Sequence, residues 1–232
     1  MKRPREILLD TPEVSIQLEA GEGDVCLISF TGVGHALGGL DVQKPEFNKS
    51  TSVSGPKLFI IDQKRSWSNC LNYDLIRATI APFVIGRKTY CLGNSMGGFN
   101  AVIATKYIDV DVCVVISPQY SIHPDIIPAE RRWDKYVLKI NEWKHVSLEG
   151  AFQSTTQYYA LFAGEPTEKR HSELFPFELE NVMVFEFAGA THQLARELSH
   201  TNDLYTIIAM CLEKRAERDI RAHCSQLIWS YR

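Results

Sequence analysis

"RKTYCLGNSMGGFNAVIATKY", Arg87 to Tyr107, decides how this chain is read. An apolar, strand-like run leads into a single serine, Ser95, and a helix-like run with small residues on its first turns leaves it. Gly93 and Gly97 stand two residues to either side of the serine, with Gly98 next in line. In a sharp strand-to-helix turn of pattern G-x-S-x-G those positions must be small, because strand and helix crowd together. The serine then takes a strained backbone conformation beside a helix N-terminus, whose free N–H groups can stabilise negative charge. The competing readings are a plain glycine-rich turn and a phosphate-binding loop. A P-loop needs a Lys-Ser/Thr ending and a dinucleotide loop needs G-x-G-x-x-G, and this stretch has neither. Ser95 is therefore the candidate nucleophile.

The surrounding pattern supplies the fold class. "REILLD" and "EVSIQLEA" read as two strands around a turn at Thr11-Pro12-Glu13, too tightly linked to be parallel. "VCLISF" (25–30), "KLFIID" (57–62), "VDVCVVISP", "YYALFAG" and "VMVFEFAG" are continuous apolar runs, as strands covered on both faces should be. Helical spacing appears in "SWSNCLNYDLIRATIAPFV", with serine as its N-cap, and in "MGGFNAVIATKYI" and "THQLARELSH". "TNDLYTIIAMCLEKRAERD" is amphipathic, and "IRAHCSQLIWSYR" repeats its spacing with Ile220, Cys224, Leu227 and Ile228. Strands alternating with helices imply an α/β fold with a mostly parallel sheet. The chain reads as a single domain over 1–232. An aromatic-rich segment at 119–157 is a candidate lid, with at least one helix through "ERRWDKYVLKINEW".

Composition narrows the function. The 232 residues are 45% hydrophobic and 23% charged, with net charge −3. Nothing in this balance suggests a nucleic-acid or membrane-surface partner. The N-terminus lacks the apolar core of a secretory signal, and no apolar run is long enough to span a bilayer. Six cysteines form no ligand spacing and read as reduced core residues of a cytoplasmic protein. The histidines and cysteines form no recognisable metal cluster.

A serine hydroxyl is a weak nucleophile unless a base takes its proton. The G-x-S-x-G turn thus predicts a histidine in a loop after the last strand, with the acid between serine and histidine in chain order. His192, in "VMVFEFAGATHQLARE", stands in that place. The acid should follow the penultimate strand, where "YYALFAGEPTEKRH" offers Glu165 and Glu168. Glu168 is favoured for its longer reach, Glu165 is the alternative, and Asp125, after the preceding strand, is an outside candidate because the acid can shift to that strand end. The oxyanion hole needs two backbone N–H groups. Met96, directly after the serine, would give one, and Val33 or Gly32 in "FTGVG" the other. Arg65 and Trp67, near a strand's carboxyl end, are candidate substrate contacts.

With these residues in place the chain resembles the α/β-hydrolase-fold proteins over nearly its whole length. The resemblance rests on "GNSMGG", "SFTGVG" and "GATHQLA", in the expected order on the expected strands. It is similar, less specifically, to small bacterial α/β-hydrolase-like proteins of surface-polysaccharide loci, through "DQKRSWSN", "EKRH" and H-x-x-A-x-x-L. The resemblance implies an eight-stranded, mostly parallel sheet with helices on both faces; the chain departs from the family in its ambiguous acid, in the asparagine before the serine and in having no large cap domain. The resemblance also implies ester, thioester or amide chemistry on a small-molecule acyl substrate, without metal or cofactor. An esterase is the leading expectation. Acyl transfer by the same route, or a non-catalytic binding protein on the same fold, are the alternatives. The amphipathic extension after Asp219 would pack on the sheet or support a homodimer.

Overall fold

The computed structural model describes residues 5–34, 42–49 and 53–225. Residues 35–41 of the first glycine-rich loop, and Leu227 and Ile228 of the last helical pattern, lie outside them. Eight strands form one sheet: β1 (Arg5–Asp10), β2 (Val14–Glu19), β3 (Val25–Phe30), β4 (Lys57–Asp62), β5 (Lys88–Asn94), β6 (Val112–Ile116), β7 (Gln157–Ala163) and β8 (Val182–Phe187). Their order is β1-β2-β4-β3-β5-β6-β7-β8. β1 pairs antiparallel with β2, and β2 with β4, while every other pairing is parallel. The expected mostly parallel sheet with an antiparallel first pair is thus present. The Thr11 hydroxyl closes that first turn by accepting the Glu13 and Val14 N–H groups.

Period-2 alternation along the central strands explains why those runs are apolar throughout. Ile28, Phe30, Cys91, Cys113, Val115, Ala160 and Phe162 face one layer. That layer holds α1 (Tyr73–Val84) and α2 (Met96–Ala104). Leu27, Leu92, Val114, Ile116 and Leu161 face the opposite layer, which holds α5 (Leu194–His200), α6 (Asp203–Leu212) and α7 (Glu217–Ser225). Both faces are covered, so no side of a central strand needs polar residues. Cys26, Cys91 and Cys113 are free and buried, packed as small hydrophobes.

Local chemistry departs from the sequence expectation in four places. The N-cap of α1 is Asn72, whose Oδ1 accepts the Leu75 N–H at 3.1 Å. The upstream serines instead serve Asp62, whose carboxylate accepts the Ser66 and Ser68 N–H groups and the Ser66 hydroxyl. The segment 119–157 holds only the short helix α3 (Asp134–Val137). It packs by Ile122, Tyr136, Val137, Leu148 and Ala151 onto the α1/α2 layer. The C-terminal amphipathic stretch is broken at Lys214, which has a positive φ, into α6 and α7. Finally, α4 (Pro166–Ser172) starts at a proline in the first turn and has no apolar period, so periodicity gave no sign of it.

Candidate active site

Ser95 caps α2 at the end of β5, with φ 55° and ψ −122°. A non-glycine residue with this backbone is strained, and the neighbours show what holds it there. A Cβ on Gly93 would lie 2.1 Å from the Gly97 carbonyl oxygen, and one on Gly97 would lie 2.2 Å from that of Phe30. Both distances are impossible for real atoms, so any larger residue would force β5, α2 and β3 apart. The Ser95 N–H is tied to the Ile116 carbonyl on β6 at 2.9 Å.

The loop after β8 brings His192 to this serine. Ser95 Oγ is 3.0 Å from His192 Nε2, and His192 Nδ1 is 2.8 Å from Glu168 Oε1. With Nδ1 protonated towards the carboxylate, Nε2 is left as the acceptor for the Ser95 hydroxyl. Glu165 also meets His192, but at the backbone: its Oε1 accepts the His192 N–H at 2.9 Å. Asp125 is exposed and is paired with its neighbour His123.

Glu168 is completely buried on the first turn of α4. Burial alone would raise its pKa; hydrogen bonds and charge from His192 and Arg132 outweigh that and hold it below the usual carboxylate range. Arg132 donates from Nη1 to the same Oε1 at 2.8 Å. Its guanidinium also grips Glu130 through Nε and Nη2. Glu130 in turn meets His171 Nε2 at 3.1 Å, and His171 Nδ1 accepts the Tyr120 N–H. Burial works against the Glu130 charge too, but the His171 and Arg132 hydrogen bonds bring it down to about 2. Trp133, next to Arg132, lies against the imidazole, with ring centroids 6.2 Å apart.

The candidate oxyanion residues lie on the other side of the serine. A Cβ on Gly32 would be 3.1 Å from the Asn94 carbonyl, so the loop after β3 packs directly on the residue before Ser95. The Gly32 N–H already serves the Glu46 carboxyl, which burial pushes up to about 8 against the pull of that bond. Among the described residues no backbone acceptor takes the Val33 or Met96 N–H. Arg65 donates from Nε to the Val33 carbonyl at 2.8 Å and so braces this loop. Trp67 is wholly buried, and its indole N–H donates to Gln119 Oε1. It therefore reaches the site through a neighbour and offers no open surface to a substrate.

Sequence reasoning missed Gln119, Glu130, Arg132, His171 and Glu46. Gln119 had one usable signal, since it follows β6 by three residues and functional loops gather at strand carboxyl ends. His171 lies in the "EKRH" stretch, and Glu130, Arg132 and Glu46 carry no local signature.

No family model matches the chain, and no curated protein matches its sequence. Its architecture does have relatives. The capsule O-acetyltransferase of Neisseria meningitidis serogroup A superposes with a TM-score of 0.63 at 15% identity, over 87% of this chain and 92% of that one. The acylaminoacyl peptidase of Pyrococcus horikoshii gives 0.66 at 13% identity, over 94% of this chain and 43% of that one. A carboxylesterase of Bacillus subtilis gives 0.50 at 12% identity, over 91% and 92%. This is the α/β-hydrolase fold. Within the described part of that fold no group of His, Cys, Asp and Glu side chains could hold a metal ion. Nor, among the described residues, is any helix long and apolar enough to cross a membrane.

Proposed function

We propose that the protein is a serine hydrolase acting on carboxylic esters through an acyl-enzyme. The observation that carries this reading is the hydrogen-bonded chain from Ser95 through His192 to a buried, ionised Glu168. Ser95 Oγ attacks the acyl carbon while His192 Nε2 takes the hydroxyl proton. Glu168 stabilises the imidazolium that results and keeps it in the useful tautomer. The carbonyl oxygen, now negative, is met by the N–H groups of Met96 and Val33. His192 returns the proton to the leaving alcohol, then activates water to release the acid. Each step uses groups of this chain and needs no cofactor.

Transfer of the acyl group to an acceptor hydroxyl is the second reading. It is favoured by the likeness to the capsule O-acetyltransferase, which extends over 92% of that enzyme's chain. Attack by water and by a sugar-like alcohol differ only in what occupies the place beside His192.

A fluorophosphonate probe and a panel of p-nitrophenyl and thioester substrates test both. Wild type should be labelled and turn over substrate, and Ser95→Ala should lose both. An unlabelled, inactive wild type would leave a binding protein on a hydrolase fold. A rise in ester product over free acid when polyols are added would move the assignment to transfer.

A further inference from the structure

Gln119 touches the atom that reacts, and nothing in the mechanism above uses it. Its Nε2 lies 2.9 Å from Ser95 Oγ, and its side chain is fully buried. Its amide orientation is fixed from behind. Trp67 Nε1 can only donate, so the Gln119 oxygen must face the indole and the NH2 must face the serine. Ser95 Oγ thus receives one N–H from Gln119 while sending its own proton to His192.

The structure is strained to build this pair. Trp67 has φ 48°, a conformation bulky residues avoid, and the adjacent Ser68 has φ 66°. The Asp62 carboxylate holds that loop in place through the Ser66 and Ser68 N–H groups. On the other side, Ser117, two residues before Gln119, has φ 44° and its N–H is tied to Leu161 on β7 at 2.7 Å. Strain of this kind, on both elements that carry the contact, marks a position that is over-determined by its surroundings.

We infer that Gln119 is a catalytic residue of the acyl-enzyme cycle and Trp67 its positioning residue. The inference rests on Ser95 being the nucleophile. In acylation the Oγ–H bond breaks, the proton goes to His192 Nε2, and the Oγ–carbon bond forms as the carbonyl electrons move to oxygen; the carbonyl then re-forms, the bond to the leaving alcohol breaks, and His192 returns the proton to it. In deacylation water adds to the acyl carbon as His192 takes its proton, then the carbonyl re-forms, the Oγ–carbon bond breaks with its electron pair returning to Oγ, and His192 supplies the proton. Negative charge builds on Oγ in both transition states. A hydrogen bond to a charged oxygen is stronger than one to a neutral hydroxyl, so the Gln119 N–H stabilises the transition states more than the resting serine. The role differs from that of Met96 and Val33, which face the carbonyl oxygen.

The test follows the rate of fluorophosphonate labelling, with thermal melts, for wild type, Ser95→Ala, Gln119→Met, Gln119→Glu and Trp67→Phe. Gln119→Met keeps the side-chain length and deletes the donor; its labelling should slow about ten- to a hundredfold, the scale of one hydrogen bond to a charged atom. Trp67→Phe should slow labelling less, and substrate turnover should show the loss in kcat with little change in KM. Gln119→Glu adds a titration: the neutral acid can donate to Oγ and the carboxylate repels it. The ratio of its rate to wild type should therefore fall as pH rises, which a purely structural role would not produce. A folded Gln119→Met labelled within twofold of wild type overturns the inference while Ser95 stands. If that variant does not fold, a pH-independent ratio for Gln119→Glu overturns it. An unlabelled wild type overturns the nucleophile and this inference together.

Discussion

The two sides of the candidate site are held in place by different forces. The serine side is built from backbone: β5, α2 and β3 meet at distances that admit only glycine at 93 and 97. The acid side is built from charge: Glu168, Arg132, Glu130 and His171 form a partly buried ion network between α4 and the crossover from β6 to β7. Steric exclusion acts on every chain that folds this way and gives almost no freedom. An ion network works by balancing large opposing terms, so it is tunable and more fragile.

The largest break in this comparison should come from the serine side. Gly97→Ala places a methyl group where the Phe30 carbonyl stands, so denaturant melts should show a loss above about 4 kcal/mol, or no folded protein. Next comes the acid. Glu168→Gln should lower turnover roughly a thousandfold or more with the fold retained, because the imidazolium loses its counter-charge. Glu165→Gln touches only the His192 backbone and should stay within about tenfold of wild type, on the scale of one neutral hydrogen bond. Equal losses for the two would erase the distinction between ring and backbone partners.

Arg132→Met should sit lower still. It leaves Glu168 and Glu130 buried without their shared cation, for a stability loss of about 3 kcal/mol, reduced by the 28% exposure of the arginine side chain. A melt within 1 kcal/mol of wild type would show that the network is dispensable.

The smallest effect on turnover near neutral pH, where its carboxyl is protonated, belongs to Glu46. Its carboxyl is raised in the fold to about 8, whereas it ionises in the ordinary carboxylate range when unfolded. Between those values the folded state holds the extra proton, so stability falls as pH rises from about 4.5 to about 8. Above about 8 the ionised carboxylate also opposes negative charge at the Gly32–Val33 loop. Glu46→Gln should raise the melting temperature at pH 8 by a few degrees and weaken the alkaline fall in turnover. An unchanged alkaline limb would sever Glu46 from that loop.

The same contrast explains what could be read from the residues. The sheet and the serine turn were legible because their causes are local: period-2 burial, and glycines two residues either side of Ser95. His192 followed from chain order. Between Glu165 and Glu168 the sequence left a choice, because α4 has no periodic face and its direction is set by tertiary contacts. Arg132 and Gln119 were illegible for a related reason. They reach Glu168 and Ser95 across 36 and 24 residues of chain, from a segment with almost no regular structure.

That segment has one further consequence. The connection from β6 to β7 carries Gln119 against Ser95, Arg132 against Glu168 and Trp133 against the His192 ring. One connection thus surrounds three side chains that three other parts of the chain supply: the β5–α2 turn, α4 and the loop after β8. Substitutions in this one connection would change the surroundings of Ser95, Glu168 and His192 together with every strand left untouched.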